Sequence, residues 1–205
     1  MNNKPRLLVV AGCNGSGKST FSRSLVPQGI IPFDYDKCFM EIYRSKSDSE
    51  LRDRMSHNEA FQTLEQSIAN SIKNRVDFCY ETNFNSTPIH WPQLFKENGF
   101  QIDLVYFCLD SISEAKKRVK IRFENGGHFV PDDQVEERFY LGYNYLNLHF
   151  EYFDSVILFD SSGYDAAPTH ILSIINGSID NFSKYPTFLD GLLPKITALV
   201  NDFII

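Results

Sequence analysis

Nine consecutive residues, Gly12-Cys13-Asn14-Gly15-Ser16-Gly17-Lys18-Ser19-Thr20, satisfy every position of the pattern G-x-x-x-x-G-K-[ST]. That pattern carries chemistry when a strand leads into it and a helix leads out. Residues 6–11 (RLLVVA) form a nearly continuous apolar run, as a strand buried on both faces would, and Phe21-Ser22-Arg23-Ser24-Leu25 continues as the first stretch of a helix. Gly12, Gly15 and Gly17 let the backbone approach an anion with no Cβ in the way. The loop amides then converge on phosphates, backed by the positive end of the following helix. Lys18 is expected to reach the β- and γ-phosphates as a point charge, and Ser19 to place its hydroxyl on Mg²⁺. The reading is a nucleoside triphosphate site for ATP with Mg²⁺, all nine residues lying at the nucleotide.

Phosphoryl transfer further needs a base, metal ligands and cations that neutralise spreading charge. Asp36 follows an apolar segment one turn from the expected phosphates and is the candidate base, although its position also suits an N-cap for a helix starting at Lys37. Asp34 is the reserve; on a strand its side chain would face the same way. Glu81, at the end of a strand, can hold the hydration shell of Mg²⁺ or the acceptor. Arg118 and Arg122 lie four apart on one helix face, and Arg138 begins the next helix. The glycine-rich stretch 124–130 between them reads as a lid that carries Arg122 and Arg138, with Arg118, over the γ-phosphate. His128 within it is expected to shape the lid or touch substrate. Lys116, Lys117 and Lys120 read as a solvated face, and Asp110 as part of a helix cap. Trp91 could stack on a base or sugar, or anchor the next helix in the core.

These residues need elements to hold them. Strands are expected over residues 6–11, 29–33, 77–82, 101–109 and 155–160. Phe61, Leu64, Ile68 and Ile72 recur at helical spacing over 57–75. Ser111 with Glu114 makes a capping box that opens a helix. Pro131 with Asp132 and Asp133 opens another, with Pro as its first residue and an apolar stripe Val135, Phe139, Tyr143, Leu146, Phe150. Alternating strands and helices imply an α/β, doubly wound, mainly parallel five-stranded sheet flanked by helices, the fold of phosphate-loop NTPases, with ligands beyond the carboxyl ends of the strands. With no repeat or low-complexity linker, one domain over 1–205 is expected. After about residue 164 the signal weakens, and 169–175 and 192–203 read as a helical extension packed on the core.

A formal net charge of −6 argues against non-specific nucleic-acid binding, which needs a basic face. Cys13, Cys38, Cys79 and Cys108 lack metal-ligand spacing. The N-terminal residues lead straight into the first strand, without a signal peptide, and no apolar run reaches membrane-spanning length. A cytoplasmic location follows as the expectation.

The order of features narrows the reading. The loop is followed by Asp34-Tyr35-Asp36, Glu81-Thr82-Asn83, the arginine-bearing helix, Gly126-Gly127-His128-Phe129-Val130-Pro131, and Phe159-Asp160-Ser161-Ser162-Gly163. Over roughly residues 6–163 this series resembles the zeta-toxin-like family of phosphate-loop kinases. The resemblance implies an ATP- and Mg²⁺-dependent phosphotransferase acting on a nucleotide sugar such as UDP-N-acetylglucosamine, or a related polar metabolite, and an antitoxin protein as a partner to look for. It implies Asp36 as the group that takes the acceptor hydroxyl proton, with Glu65, Glu81 and Asn83 beside the acceptor; from the sequence alone Glu65 reads as a surface residue. The family often has Asn at the position of Asp34 and Thr at that of Asn83. Two other classes compete: a nucleotide-switched regulatory ATPase, and a kinase acting on nucleic-acid ends.

Overall fold

The structure, a computed structural model, describes residues 4–127, 129–163 and 166–204. Its centre is β1 (Arg6–Ala11), whose register places it between two parallel neighbours, β2 (Phe78–Thr82) and β3 (Gln101–Cys108). β4 (Ser155–Asp160) pairs parallel with β3. Beyond it β5 (Thr169–Ile175) and β6 (Ser178–Phe182) add antiparallel, giving the order β2-β1-β3-β4-β5-β6. Chain order thus reverses at β1, and the crevice beyond its carboxyl end is where such sheets receive ligands.

Four of the five expected strands are present within a residue of their expected ends. Residues 29–33 are not a strand. Pro32 has no amide to donate, and this segment makes only one isolated parallel bridge, Phe33 to Tyr80 on the outer side of β2. The helical expectation for 169–175 is also wrong. The run Thr-His-Ile-Leu-Ser-Ile-Ile is rich in β-branched residues, and the turn after it is Asn176-Gly177, both with positive φ (48° and 78°). An Asn-Gly pair in that conformation is the tight hairpin turn that matches strand twist. The C-terminal part is therefore a hairpin that widens the sheet to six strands, followed by a helix.

Seven α-helices are described: α1 (Lys18–Phe21), α2 (Tyr35–Ser45), α3 (Arg52–Asn74), α4 (His90–Glu97), α5 (Ile112–Glu124), α6 (Asp132–His149) and α7 (Pro194–Ile204). Ser111 caps α5 by accepting from the Glu114 amide, as its spacing predicts, but the Glu114 carboxylate turns to Arg118 rather than closing the box. Pro131 is the N-cap of α6 instead of its first residue. The α6 stripe is buried as expected from Val135 to Phe150. It joins Leu64 and Ile68 of α3, Phe95 of α4, Val119 of α5 and Ile196 of α7 in one core against Leu7, Val9, Leu104, Tyr106 and Leu158 of the sheet. The opposite face carries a smaller cluster, Val10, Cys79, Val105 and Phe107, covered by Phe21, Leu25, Val26 and Ile30. On that face Asp103, itself buried, is held by the Arg6 guanidinium and Gln101.

One contact links core to site. A Cβ at Gly142 in α6 would lie 2.7 Å from the Tyr106 hydroxyl and 2.9 Å from the Asn83 carbonyl oxygen. The missing side chain lets α6 press on β3 and on the loop after β2 together. Gly142→Ala is therefore expected to destabilise the protein by about 2 kcal/mol in urea unfolding, despite the better helix propensity of alanine.

Candidate active site

The phosphate loop leaves β1 through a space with no room for a side chain. Gly12 has φ 145°, and a Cβ there would sit 2.6 Å from the Phe107 carbonyl oxygen and 2.6 Å from Ser16 Oγ. Gly17, at φ 88°, opens α1, which runs only four residues before a 3-10 turn at Ser22–Ser24. With so short a helix, an anion held here would depend on the loop amides more than on a long helix dipole.

Lys18 folds back over its own loop. Its Nζ donates to the carbonyl oxygens of Gly12 (2.7 Å) and Cys13 (3.0 Å) and to Asn83 Oδ1 (3.0 Å). Burial pushes its pKa below the usual lysine value, while Cys13, Asp36 and Glu81 pull the other way. Burial also raises the Cys13 thiol to about 11, so it stays protonated at neutral pH.

Ser19 Oγ donates to Glu81 Oε2 at 2.6 Å and approaches Asp34 Oδ2 at 3.0 Å. Ser22 Oγ donates to the other Glu81 oxygen at 2.7 Å. Burial raises the Glu81 carboxyl above its ordinary range; the two serine hydroxyls work against that shift, and the Asp34 charge adds to it. Two carboxylates flanking a hydroxyl form the oxygen-only donor set that suits Mg²⁺, which takes one or two carboxylates and completes its shell with water and phosphate. Among the described residues no cluster of three or more His, Cys, Asp or Glu is placed to hold a metal.

Asp34, not Asp36, caps α2: its Oδ1 accepts from the Lys37 amide at 3.0 Å. Asp36 is the second residue of that helix, so the two acids do not lie on a strand. Asp36 lines the cleft, and no described residue hydrogen-bonds its carboxylate.

The three arginines differ. Arg118 is committed to structure: it donates to Glu114 (2.7 Å) and to the carbonyl oxygens of Ser161 (2.8 Å) and Ser162 (2.9 Å), and it reaches Gly15 at 3.5 Å. It ties the loop after β4 to the phosphate loop. Arg122, one turn on, lines the cleft and adds to the depression of the Lys18 pKa. Arg138 reaches Asn14 Oδ1 at 3.3 Å. Lys116, read as solvated, pairs instead with Glu136 of α6 at 2.8 Å, across the α5–α6 junction. His128 lies outside the described residues. Glu65 is exposed on α3 and does not line the cleft; Phe61 and Leu64 of the same helix do.

The cleft that gathers these groups has a volume of about 1160 Å³, beyond the 300–1,000 Å³ or so of a single small-molecule site. The end at the phosphate loop holds residues 14–20, Arg118, Arg122, Ser161 and Gly163. The far end holds Tyr35, Phe61, Leu64, Trp91 and the loop after β2. Sequence reasoning missed Ser22, Tyr35, Phe61 and this loop as site residues. Ser22 and Tyr35 sit beside motif residues, whereas Phe61 belongs to a helical stripe, where an apolar residue reads as core.

The chain is also similar to known proteins. The family described as zeta toxin matches residues 1–163. An uncharacterized protein of Haemophilus influenzae is 30% identical over 141 residues, covering 68% of this chain and 94% of that protein. Among solved structures, the AvrRxo1-ORF1:AvrRxo1-ORF2 complex with sulphate ions gives a TM-score of 0.70 at 17% identity over 94% of this chain, which spans 64% of that chain's length. The PezAT toxin–antitoxin system of Streptococcus pneumoniae gives 0.60 at 12% identity, covering 99% of this chain and 88% of that one. At such identities the structural likenesses establish the fold. The family match over most of the chain establishes more: this protein belongs to the zeta toxin family of phosphate-loop kinases.

Proposed function

We propose that this phosphotransferase moves the γ-phosphoryl group of ATP to a hydroxyl of a small polar metabolite, with Asp36 as general base. The observation that carries the reading is the grouping in one cleft of the Lys18 ammonium, the Ser19–Asp34–Glu81 oxygen cluster and the unengaged Asp36 carboxylate. The acceptor oxygen attacks the γ-phosphorus, the bond to the β-bridging oxygen breaks, ADP leaves, and the acceptor proton passes to Asp36 and then to water. Lys18 exchanges its loop carbonyls and Asn83 for β- and γ-phosphate oxygens. Arg122 and Arg138 follow the charge as it spreads over the equatorial oxygens. Ser19, Glu81 and Asp34 would hold Mg²⁺, which supplies charge neutralisation at the β- and γ-oxygens. The role of Asp34 thereby moves from reserve base to metal ligand. Asn83, bonded to Lys18, sits between the two ends of the cleft and would contact the acceptor once Lys18 turns to phosphate.

Nucleotide sugars are the acceptors that the family resemblance suggests, and an antitoxin is a partner in keeping with the PezAT likeness. No described helix is long and apolar enough to cross a membrane.

Acceptor-dependent ADP release from ATP and Mg²⁺, screened over hydroxylated metabolites and nucleotide sugars, tests the reading. Lys18→Ala is expected to abolish turnover with the fold intact by circular dichroism. Asp36→Asn is expected to cut turnover at least ~100-fold while ATP affinity stays within about threefold. Equal ADP release with and without every acceptor would count against the kinase.

Glu81→Gln separates metal binding from folding. Because burial raises the Glu81 pKa, the ionised form is disfavoured in the folded, metal-free protein. Its contribution to stability is therefore present at low pH and lost as pH rises through the folded value. The amide should leave the melting temperature of the metal-free protein at pH 8 unchanged or raise it by up to about 3 °C. Mg²⁺-dependent turnover should nevertheless fall by at least ~100-fold.

A further inference from the structure

The carboxylate given the role of base takes its direction from its backbone. No described residue hydrogen-bonds Asp36, so it points wherever the first turn of α2 points it. α2 rests lightly on the protein: of its 11 residues only Phe39 is buried. Its carboxyl end is tied down by Arg52, whose Nε donates to the Tyr43 carbonyl oxygen at 2.8 Å, and by Arg44, which donates to the Gly126 carbonyl oxygen at 3.2 Å. At its amino end the N-cap Asp34 meets Ser19 Oγ at 3.0 Å, a contact that passes to the metal in the mechanism above. A reacting group misplaced by about 1 Å can lose ~100-fold in rate. What holds this end during turnover therefore matters.

The remaining hold comes from α3. Tyr35, set between the two acids, lines the cleft, and its hydroxyl reaches His57, 3.1 Å from Nδ1 and 3.2 Å from the carbonyl oxygen. Tyr35 and Phe39 lie one turn apart on α2, and the His57 ring stacks on both, with centroids 6.1 Å and 4.1 Å away. Asp53, one turn earlier on α3, stands 3.8 Å from His57 Nε2. His57 itself is half-exposed and does not line the cleft. Burial, helped by the Asp36 charge, raises the Tyr35 pKa above the ordinary tyrosine value, so the hydroxyl keeps its proton at neutral pH. With Nδ1 bare, that hydroxyl donates to it. With Nδ1 protonated, the ring donates to the hydroxyl oxygen and the hydroxyl to the carbonyl. The link survives either state of the imidazole.

We propose that His57 is a positioning residue for the phosphoryl transfer: by holding Tyr35 it fixes the first turn of α2 and so aims the Asp36 carboxylate at the acceptor hydroxyl. This rests on the kinase reading above and adds to it a residue outside the cleft. A base without hydrogen-bond partners of its own is held in place by the supports of the element that carries it.

Turnover is measured as ADP release from ATP and Mg²⁺ with UDP-N-acetylglucosamine as the probe acceptor or, where that is inert, the most active compound of the screen above. Tyr35→Phe keeps the ring and removes the hydroxyl, and it should lower kcat about fivefold, the effect of one hydrogen bond. His57→Ala should lower kcat at least ~10-fold, and His57→Asn, whose amide can stand in for Nδ1, should return it to within about threefold of wild type. KM for ATP should stay within about twofold throughout. In the Asp36→Asn background His57→Ala should cost less than about twofold more, because both changes act through one carboxylate. Amide hydrogen exchange, followed by NMR with a non-hydrolysable ATP analogue and Mg²⁺ bound, reads the position of α2 without an acceptor. The Lys37 and Cys38 amides, bonded to Asp34 at 3.0 Å each, should exchange at least ~10-fold faster in His57→Ala while residues 60–72 of α3 stay within about threefold. Unaltered exchange at Lys37 and Cys38, a full ~10-fold further loss in the Asp36→Asn background, or a His57→Asn protein as slow as His57→Ala would overturn the proposal. A wild-type protein with no acceptor-dependent ADP release from any compound sinks the kinase reading, and the reaction role of His57 with it; the exchange measurement then still shows whether His57 holds α2.

Discussion

At the end of β1 the backbone passes so close to the Phe107 carbonyl of β3 that residue 12 has no space for a side chain. Past this close approach the chain curls into a loop whose Gly12 and Cys13 carbonyls receive Lys18. Everything else in the site is arranged around that loop. Arg118 ties it to the turn after β4, Arg138 touches it from α6 through Asn14, and Ser19 ties it to Glu81 and Asp34. A side chain at position 12 would displace the one object to which five separate segments are fastened.

The ligand-free site holds charges that it does not fully satisfy, and this is consistent with its proposed chemistry. Lys18 is partly buried against neutral oxygens, which are weaker partners than phosphate, and its pKa is lowered. Glu81 is half-buried next to another carboxylate, and its pKa is raised. A polyanion arriving with a divalent cation would relieve both at once, the anion taking the ammonium and the cation the carboxylates. Each component then favours binding of the other, the linkage expected when two sites of opposite charge share one cleft.

The family match ends at Gly163, but the core does not. Ile171, Leu172 and Ile174 of the hairpin and Leu193, Ile196 and Val200 around α7 are buried in the same cluster as Leu104 and Tyr143. The two parts are also joined by a cap: Asn147 of α6 accepts from the amide of Lys195 in α7 at 2.8 Å. The added strands extend the sheet from the β4 edge, the side away from β2, so the cleft beyond β1 stays open.

Local pattern fixes what local chemistry requires. The phosphate loop, β1 to β4, the α6 stripe and the Ser111 cap could all be read from residue types a few positions apart, because each depends on contacts within one turn or one strand. Residues 29–33 looked like a strand because apolar content alone does not show whether an edge is free to pair, and Pro32 allows only one bridge. Asn176-Gly177 marks the C-terminal hairpin, but the short apolar run before it fits a helical period as well as a strand. Long-range packing settled the rest. Asp34 and Asp36 are two residues apart, yet the helix that starts between them makes one a cap beside Ser19 and leaves the other open to the cleft. Phe61 and Glu65 lie one turn apart on nearly the same face of α3, but the cleft takes in only Phe61 and leaves Glu65 in solvent beyond its edge. Which side chain of a helix meets a ligand depends on how that helix is docked, a sum over many distant contacts that no short stretch of sequence contains.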